Sequence, residues 1–137
     1  MAETAFVDTN VLVYLVDRSE PDKRRRAAEL LASEAGALVL SAQVLSEFYA
    51  VVTRKLADPL SEEVAARLVE RFSHLRTVSI DAPLVRSAIA ISREAGLSYW
   101  DGLIVAGAKV GGCTRLLTED LSAESVVAGV RVENPFG

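Results

Sequence analysis

The sequence predicts an α/β fold in which a parallel sheet is covered by helices on both faces. Short apolar runs of strand length alternate along the chain with longer segments of helical period. The connections between them are short, and elements alternating in this way close into a parallel sheet buried on both sides. Half of the residues are hydrophobic and 25% are charged, the composition of a compact chain rather than a disordered one. A length of 137 residues suits one core and a single domain, 1–137.

The elements follow in order. "TAFV" reads as a short buried strand. "TNVLVYLVD" reads as a short helix, although its β-branched residues would also suit a strand. Pro21 fits the first turn of a helix through "DKRRRAAELLASEA", with Gly36 as its stop. "ALVL" is the next strand. "AQVLSEFYAVVTRKLA" is helical by period and ends before Asp58-Pro59. Ser61 is a good N-cap for the amphipathic "SEEVAARLVERFSHL". "TVSI" is a strand, and Asp81 caps "DAPLVRSAIAISREAG", which stops at Gly96. "YWDGLIVAGAKVGG" is a helix apolar almost all round, hence central. "TRLLT" is a strand, and "VRVEN" is a last strand expected at an edge of the sheet.

Several classes are set aside at once. No apolar run approaches the length of a membrane span. "MAETAFVD" lacks the basic start and small-residue cleavage site of a signal peptide. Cys113 is the single cysteine, so an internal disulfide is impossible and a reducing, cytoplasmic setting is expected. The net charge of −4 opposes a polyanion as partner, but "DKRRR" (Asp22 to Arg26) and "TRKL" (Thr53 to Leu56) are local basic clusters, or else solvated helix faces. His74 looks like an exposed helix end, and Cys113 like a small buried hydrophobe. Trp100 fits a core or interface better than a stacking platform.

In parallel sheets, ligands bind beyond the carboxyl ends of the strands, near a switch in strand order. Asp8 follows the first strand, Ser41 the second, Asp81 the third, and Thr118, Glu119 and Asp120 the fourth. Asp81 and Ser41 read as helix caps. Asp8 and Asp120 read as caps or as functional groups. Two further acids lie on helices. Glu47 is three residues after Val44 and four before Val51, which puts it on the apolar stripe. Asp101 shares a face with Ile104 and Val105 in the central helix, and Ser98-x-x-Asp101 also matches a capping box. Buried carboxylates need a compensating charge. Arg54, Lys55 and Lys109 lie toward the far ends of these helices. Four converging acids without a nearby base point to a hard divalent cation, Mg²⁺ or Mn²⁺, held by oxygen ligands.

"FVDTNVLVY", "LSAQVLSEFY", "SYWDGLIVAGA" and "LLTEDL", in this order and spacing over nearly the whole chain, resemble the four acidic motifs of PIN-domain ribonucleases. They are most similar to those of VapC-like toxins of toxin–antitoxin pairs. The resemblance implies a doubly wound sheet, Mg²⁺-dependent cleavage of single-stranded RNA, a homodimer, and inhibition by a small antitoxin protein. It makes Asp8, Glu47, Asp101 and Asp120 the catalytic and metal-binding acids, with one or two ions. Asn10 is then the polar group beside the first acid and Thr118 the hydroxyl before the last. With Ser41, these two would orient acids or waters. Many relatives carry a further aspartate where this chain has Ser122; Glu119 could substitute for it in part, so either Glu119 or Asp120 completes the fourth corner.

The mechanism expected from these residues is attack of a metal-activated water in line on a phosphodiester. Lys23, Arg24, Arg25, Arg26, Arg54 and Lys55 are the candidates to guide RNA. An RNA-processing PIN nuclease is the nearest alternative, followed by an inactive PIN-like scaffold that only binds. A phospho-accepting receiver module is a more distant one: Asp8 stands alone, Ala-Pro follows Asp81, and no lysine follows "RLLT".

Overall fold

A computed structural model describes residues 3–137. The elements run β1 (Ala5–Val7), α1 (Thr9–Tyr14), α2 (Pro21–Glu34), β2 (Leu38–Ser41), α3 (Ala42–Arg54), α4 (Glu62–Phe72), β3 (Arg76–Val78), α5 (Ala82–Ala95), α6 (Tyr99–Val110), β4 (Arg115–Leu117), β5 (Val126–Val127) and β6 (Val130–Glu133). One 3₁₀ turn, Ala35–Ala37, joins α2 to β2. Each expected helix forms, and most ends follow local chemistry; Gly36 is not the stop of α2, which ends at Glu34 and passes into the 3₁₀ turn that contains this glycine. Ser41, Ser61, Asp81 and Ser98 cap α3, α4, α5 and α6 through their side-chain oxygens. Pro21 opens α2, and Gly96, at φ 69°, closes α5 in the left-handed region that glycine enters without strain.

The sheet order is β3-β2-β1-β4-β6-β5. All neighbours are parallel except β5 and β6. The chain therefore steps outward from β1 to β3, then returns over the sheet to β4 on the other side of β1. Right-handed crossovers in opposite directions put α1–α4 and α5–α6 on opposite faces. The strand order switches at β1 and β4, as the doubly wound fold requires.

Two strand expectations need correction. β3 begins at Arg76, one residue before "TVSI". The last strand, β6, is not at the edge: it pairs in parallel with β4, and the two-residue β5 folds back on it as the edge.

The core is built from β1, β2 and β4, whose apolar residues are buried without alternation because both sheet faces are covered. α6 lies across this centre, and Gly102 through Ala108 are all buried. Gly102 must be glycine: a Cβ there would stand 2.6 Å from the Ala88 carbonyl oxygen of α5. Cys113 is buried, and His74 is exposed, as expected. On the rim, Arg115 of β4 ties α2 and β6 to the sheet through Glu34 (2.6 Å) and Glu133 (3.1 Å).

Candidate active site

β1 and β4 lie side by side, so the residues that follow them meet in the crevice at the switch point. The Asp8 N–H continues the ladder to the Leu117 carbonyl (3.0 Å), and the Thr118 N–H bonds the Glu133 carbonyl (3.0 Å). Their side chains then turn to each other. The Thr118 hydroxyl, wholly buried, lies 2.8 Å from Asp8 Oδ2. It accepts from Asn10 Nδ2 (3.0 Å) and from the Asp120 N–H (3.1 Å). A hydroxyl has one proton and two lone pairs. Both lone pairs are taken, so the proton is directed at Asp8.

Asn10 completes the arrangement. Its Nδ2 also donates to Asp120 Oδ2 (3.0 Å), and its Oδ1 accepts from the Glu119 N–H (3.4 Å). On the other side of Asp8, the Thr9 N–H donates to Asp8 Oδ1 (2.7 Å), and the Thr9 hydroxyl donates to Glu47 Oε2 (2.9 Å). Glu47 Oε1 accepts from Gln43 Nε2 (2.9 Å), one helical turn earlier on α3. Three of the four acids, Asp8, Glu47 and Asp120, are thereby joined in one hydrogen-bonded network.

Asp8 is the most constrained of them. It is 6% exposed, and burial pushes its carboxyl up to about 6. Bonds from Thr118 and Thr9 pull the other way, while the charges of Asp120 and Glu47 push in the same direction as burial. Its position at the N-cap of α1 is real, since it accepts from Thr9 N–H. Capping does not account for the second oxygen, which faces Thr118.

Asp101 differs from expectation. α6 is central, but Asp101 lies on its first turn and is only half-buried. Ser98 Oγ accepts from the Asp101 N–H (3.1 Å), which is the forward half of a capping box. The Asp101 carboxylate accepts no hydrogen bond among the described residues. The link to the other acids runs through Gln43, whose Nε2 also donates to the Trp100 carbonyl (3.3 Å). Gln43 is 5% exposed, and its Oε1 has no partner among the described residues.

Ser41 stands apart. Its hydroxyl accepts from the Val44 N–H (3.4 Å) as the cap of α3 and makes no bond to an acid. One base does come close to this corner, on an acid outside the four. Lys23 reaches Glu119 (3.1 Å) and the Tyr14 hydroxyl (3.3 Å), and Tyr14 donates to Glu119. Glu119 is therefore neutralised by Lys23, which leaves Asp120 at the fourth corner on Asn10. Neither Asp8 nor Glu47 has an ammonium or guanidinium partner among the described residues.

Among the described residues, no three His, Cys, Asp or Glu side chains close on one point that could hold a metal ion. The carboxylates are instead spaced by hydroxyl and amide groups. The donor set nonetheless has the chemistry of a hard-cation site: oxygen donors only, one of them a desolvated carboxylate with no basic partner among the described residues.

The remaining basic residues of the first cluster are also engaged. Arg24 Nε donates to the Leu15 carbonyl, Arg25 pairs with Asp22, and Arg26 donates to the Pro135 carbonyl. Arg54 and Lys55 are exposed at the end of α3 and have no carboxylate partner among the described residues. Trp100 is in water rather than in the core, at 63% exposure. Thr9, Gln43, Tyr14 and the Lys23–Glu119 pair were not singled out from the sequence. The one available signal was the i, i+4 spacing of Gln43 and Glu47.

The PIN domain family model matches residues 5–127. No curated protein matches the chain. Among solved structures, the chain resembles a toxin–antitoxin complex component from Klebsiella pneumoniae, with a TM-score of 0.74 and 20% identity over 96% of this chain and 98% of that one. It resembles a chain of DNA-bound VapBC from Salmonella typhimurium (TM-score 0.69, 20% identity, 98% and 99% covered). It also resembles Mycobacterium tuberculosis VapC20, described as a sarcin–ricin loop cleaving toxin (TM-score 0.64, 20% identity, 82% and 87% covered). At these identities the likeness is one of fold.

Proposed function

The chain belongs to the PIN domain family, and from that premise we propose that it is a divalent-metal-dependent endoribonuclease acting on single-stranded RNA, and the toxin of a toxin–antitoxin pair. One observation carries the nuclease reading. Asp8, buried at the switch point, is held by two donors among other acids, and no basic side chain among the described residues offsets its charge. A charge of this kind is costly unless a ligand neutralises it.

Asp8, Glu47, Asp101 and Asp120 would hold Mg²⁺ or Mn²⁺, as one or two ions. When bound, such an ion supplies Lewis acidity to a phosphoryl oxygen and lowers the pKa of a bound water. The rest is done by the chain itself. Thr118 and Asn10 fix Asp8 and Asp120 relative to each other. Thr9 and Gln43 fix both oxygens of Glu47. A ligand held by groups that are themselves hydrogen-bonded loses little orientation on binding. Asp101 keeps a carboxylate free to accept a water proton or a cation. Arg54 and Lys55 provide attraction for phosphate that the net charge of −4 does not. Lys23 to Arg26 can add to that field despite their present partners. Ser41 acts only indirectly, by setting the start of α3.

The remaining parts of the reading are a single domain over 1–137 and a cytoplasmic setting, which rest on chain length and the lone cysteine, and a homodimer and a small antitoxin partner, which rest on the resemblance. Among the described residues, no helix is long and apolar enough to cross a membrane. Incubation of the purified chain with single-stranded RNA tests the activity. Cleavage is expected with Mg²⁺ or Mn²⁺ and none with EDTA; undiminished cleavage in EDTA overturns the metal mechanism.

A further inference from the structure

A groove of about 450 Å³ opens beside the acids. One wall is a face of α3 made by Glu47, Ala50, Val51 and Lys55, which recur at helical spacing. The other wall is Trp100, at the start of α6. The groove thus has a carboxylate of the active-site network at one end, apolar atoms along its length, and an ammonium ~12 Å along the helix at the other.

Among the described residues, Trp100 is the only aromatic in the set of large apolar side chains left in water. Its ring is not part of the core cluster among the described residues. It is nevertheless held in place. Tyr99 packs against it edge to face, with ring centroids 5.0 Å apart and planes at 72°. Its carbonyl accepts from Gln43 Nε2, the same amide that donates to Glu47. The exposed indole and the catalytic carboxylate therefore share one buried anchor.

We propose that this groove is a nucleobase subsite, in which Trp100 stacks a base of single-stranded RNA next to the scissile position and Lys55 takes the phosphate beyond it. The inference rests on the nuclease reading and deepens it. A nucleotide in a strand presents phosphate, base, phosphate in series. The groove presents in the same order a site for an ion-bound phosphate, a flat π face, and an ammonium without a carboxylate partner among the described residues. An extended peptide needs backbone partners along its length, whereas the polar groups here lie at the two ends. Stacking on an aromatic face is tolerant of sequence, so the subsite contributes affinity and register more than base identity.

Trp100 is the single tryptophan of the chain, so its emission reports directly on the groove. The purified full chain is titrated in EDTA with a short single-stranded oligoribonucleotide and, separately, with inorganic polyphosphate. Saturable quenching by the RNA and none by polyphosphate is expected. Trp100→Ala is expected to bind a labelled oligonucleotide about tenfold more weakly. An unchanged melting temperature shows that the fold is intact, and Lys55→Gln reduces the salt dependence of binding by about one phosphate contact. If the wild type cleaves RNA while its emission stays constant and Trp100→Ala binds equally well, the subsite is overturned and the nuclease stands. If the wild type neither binds nor cleaves RNA with Mg²⁺ or Mn²⁺, the nuclease reading fails and the subsite fails with it.

Discussion

The Thr118 hydroxyl donates to Asp8 at 2.8 Å across the ends of two neighbouring strands, joining residues 110 positions apart. Because its lone pairs already accept from Asn10 and Asp120, it sets the distance between the first and last acids. Thr118→Val keeps the shape and removes all three bonds. Asp8 Oδ2 and the Asp120 N–H lose this partner, and stability should fall by about 2 kcal/mol. Cleavage should fall about 10- to 100-fold. Thr118→Ser should restore most of both. Denaturant melts and initial rates measure this; a fully active, fully stable valine variant would show that the hydroxyl organises nothing.

Asp8→Asn separates catalysis from stability through pH. The wild-type carboxyl rises from its ordinary 3.8 to about 6 on folding, chiefly through burial. Between these values the folded state binds more protons than the unfolded one. Its contribution to stability is therefore complete below pH 4 and is lost as pH rises through about 6, a change on the order of 3 kcal/mol. Asparagine has no such dependence. It brings its own cost, because one face of its amide must meet Thr118 or Thr9 donor to donor or compete for a filled lone pair. The absolute stability of the variant therefore mixes two opposing effects. The slope does not: in EDTA, stability of Asp8→Asn relative to wild type should improve from pH 4 to pH 7. A difference that stays flat across this range would mean that Asp8 is not desolvated.

Mg²⁺ or Mn²⁺ should raise the melting temperature of the wild type at neutral pH. An ion that binds only the folded chain stabilises it by mass action, ~2.7 kcal/mol at a hundred times its Kd. Glu47→Gln and Asp8→Asn should lose most of this shift together with cleavage. Thermal shifts identical in wild type and both variants would place the ion elsewhere.

How much of this was legible in the sequence depends on the range of each interaction. Ser61, Asp81 and Ser98 announce their helices because a cap and its N–H are three residues apart. Asp8 was visible because a polar residue directly ends an apolar run. The edge strand was not. β5 has two residues, and both turn residues, Ala128 at φ 50° and Gly129 at φ 84°, have the positive φ of a type I′ hairpin. Alanine in that place hides the turn, since Asn-Gly or Asp-Gly is the usual signal. Lys23 and Glu119 are 96 positions apart, so their pairing has no local trace. The exposure of Asp101 is hidden in the sequence because the apolar average of α6 conceals that its first turn lies outside the core.

The basic residues should divide by their partners. Lys23 to Arg26 are largely occupied by Glu119, Asp22 and backbone carbonyls. Arg54 and Lys55 have no carboxylate partner among the described residues. Replacing Arg54 and Lys55 by glutamine should lower the salt slope of RNA binding by about two contacts. The same change at Lys23 to Arg26 should lower it less. Equal slopes for both variants and the wild type would return all six residues to a solvated-face role.

Whether the nuclease is a toxin is decided in the cell. The acids proposed to hold a metal also make a target for a cationic partner: a guanidinium inserted among Asp8, Glu47 and Asp120 would form charge-assisted, two-pronged hydrogen bonds and take the place of an ion. Exposed apolar residues such as Trp100 and Ile89 offer contact area for such a partner or for a second copy. Expression of the chain alone should therefore arrest growth. Asp8→Asn should not, because on the proposed mechanism it removes a charge that would hold the ion while leaving the surface intact. Co-expression of a small protein encoded beside the chain should rescue growth, and substitution of an inserted arginine in that protein should abolish the rescue. Growth unaffected by wild-type chain that is folded and cleaves RNA in extract would remove the toxin and keep the nuclease. The same four acids would then serve RNA processing, because nothing in their chemistry distinguishes a destructive cut from a maturing one.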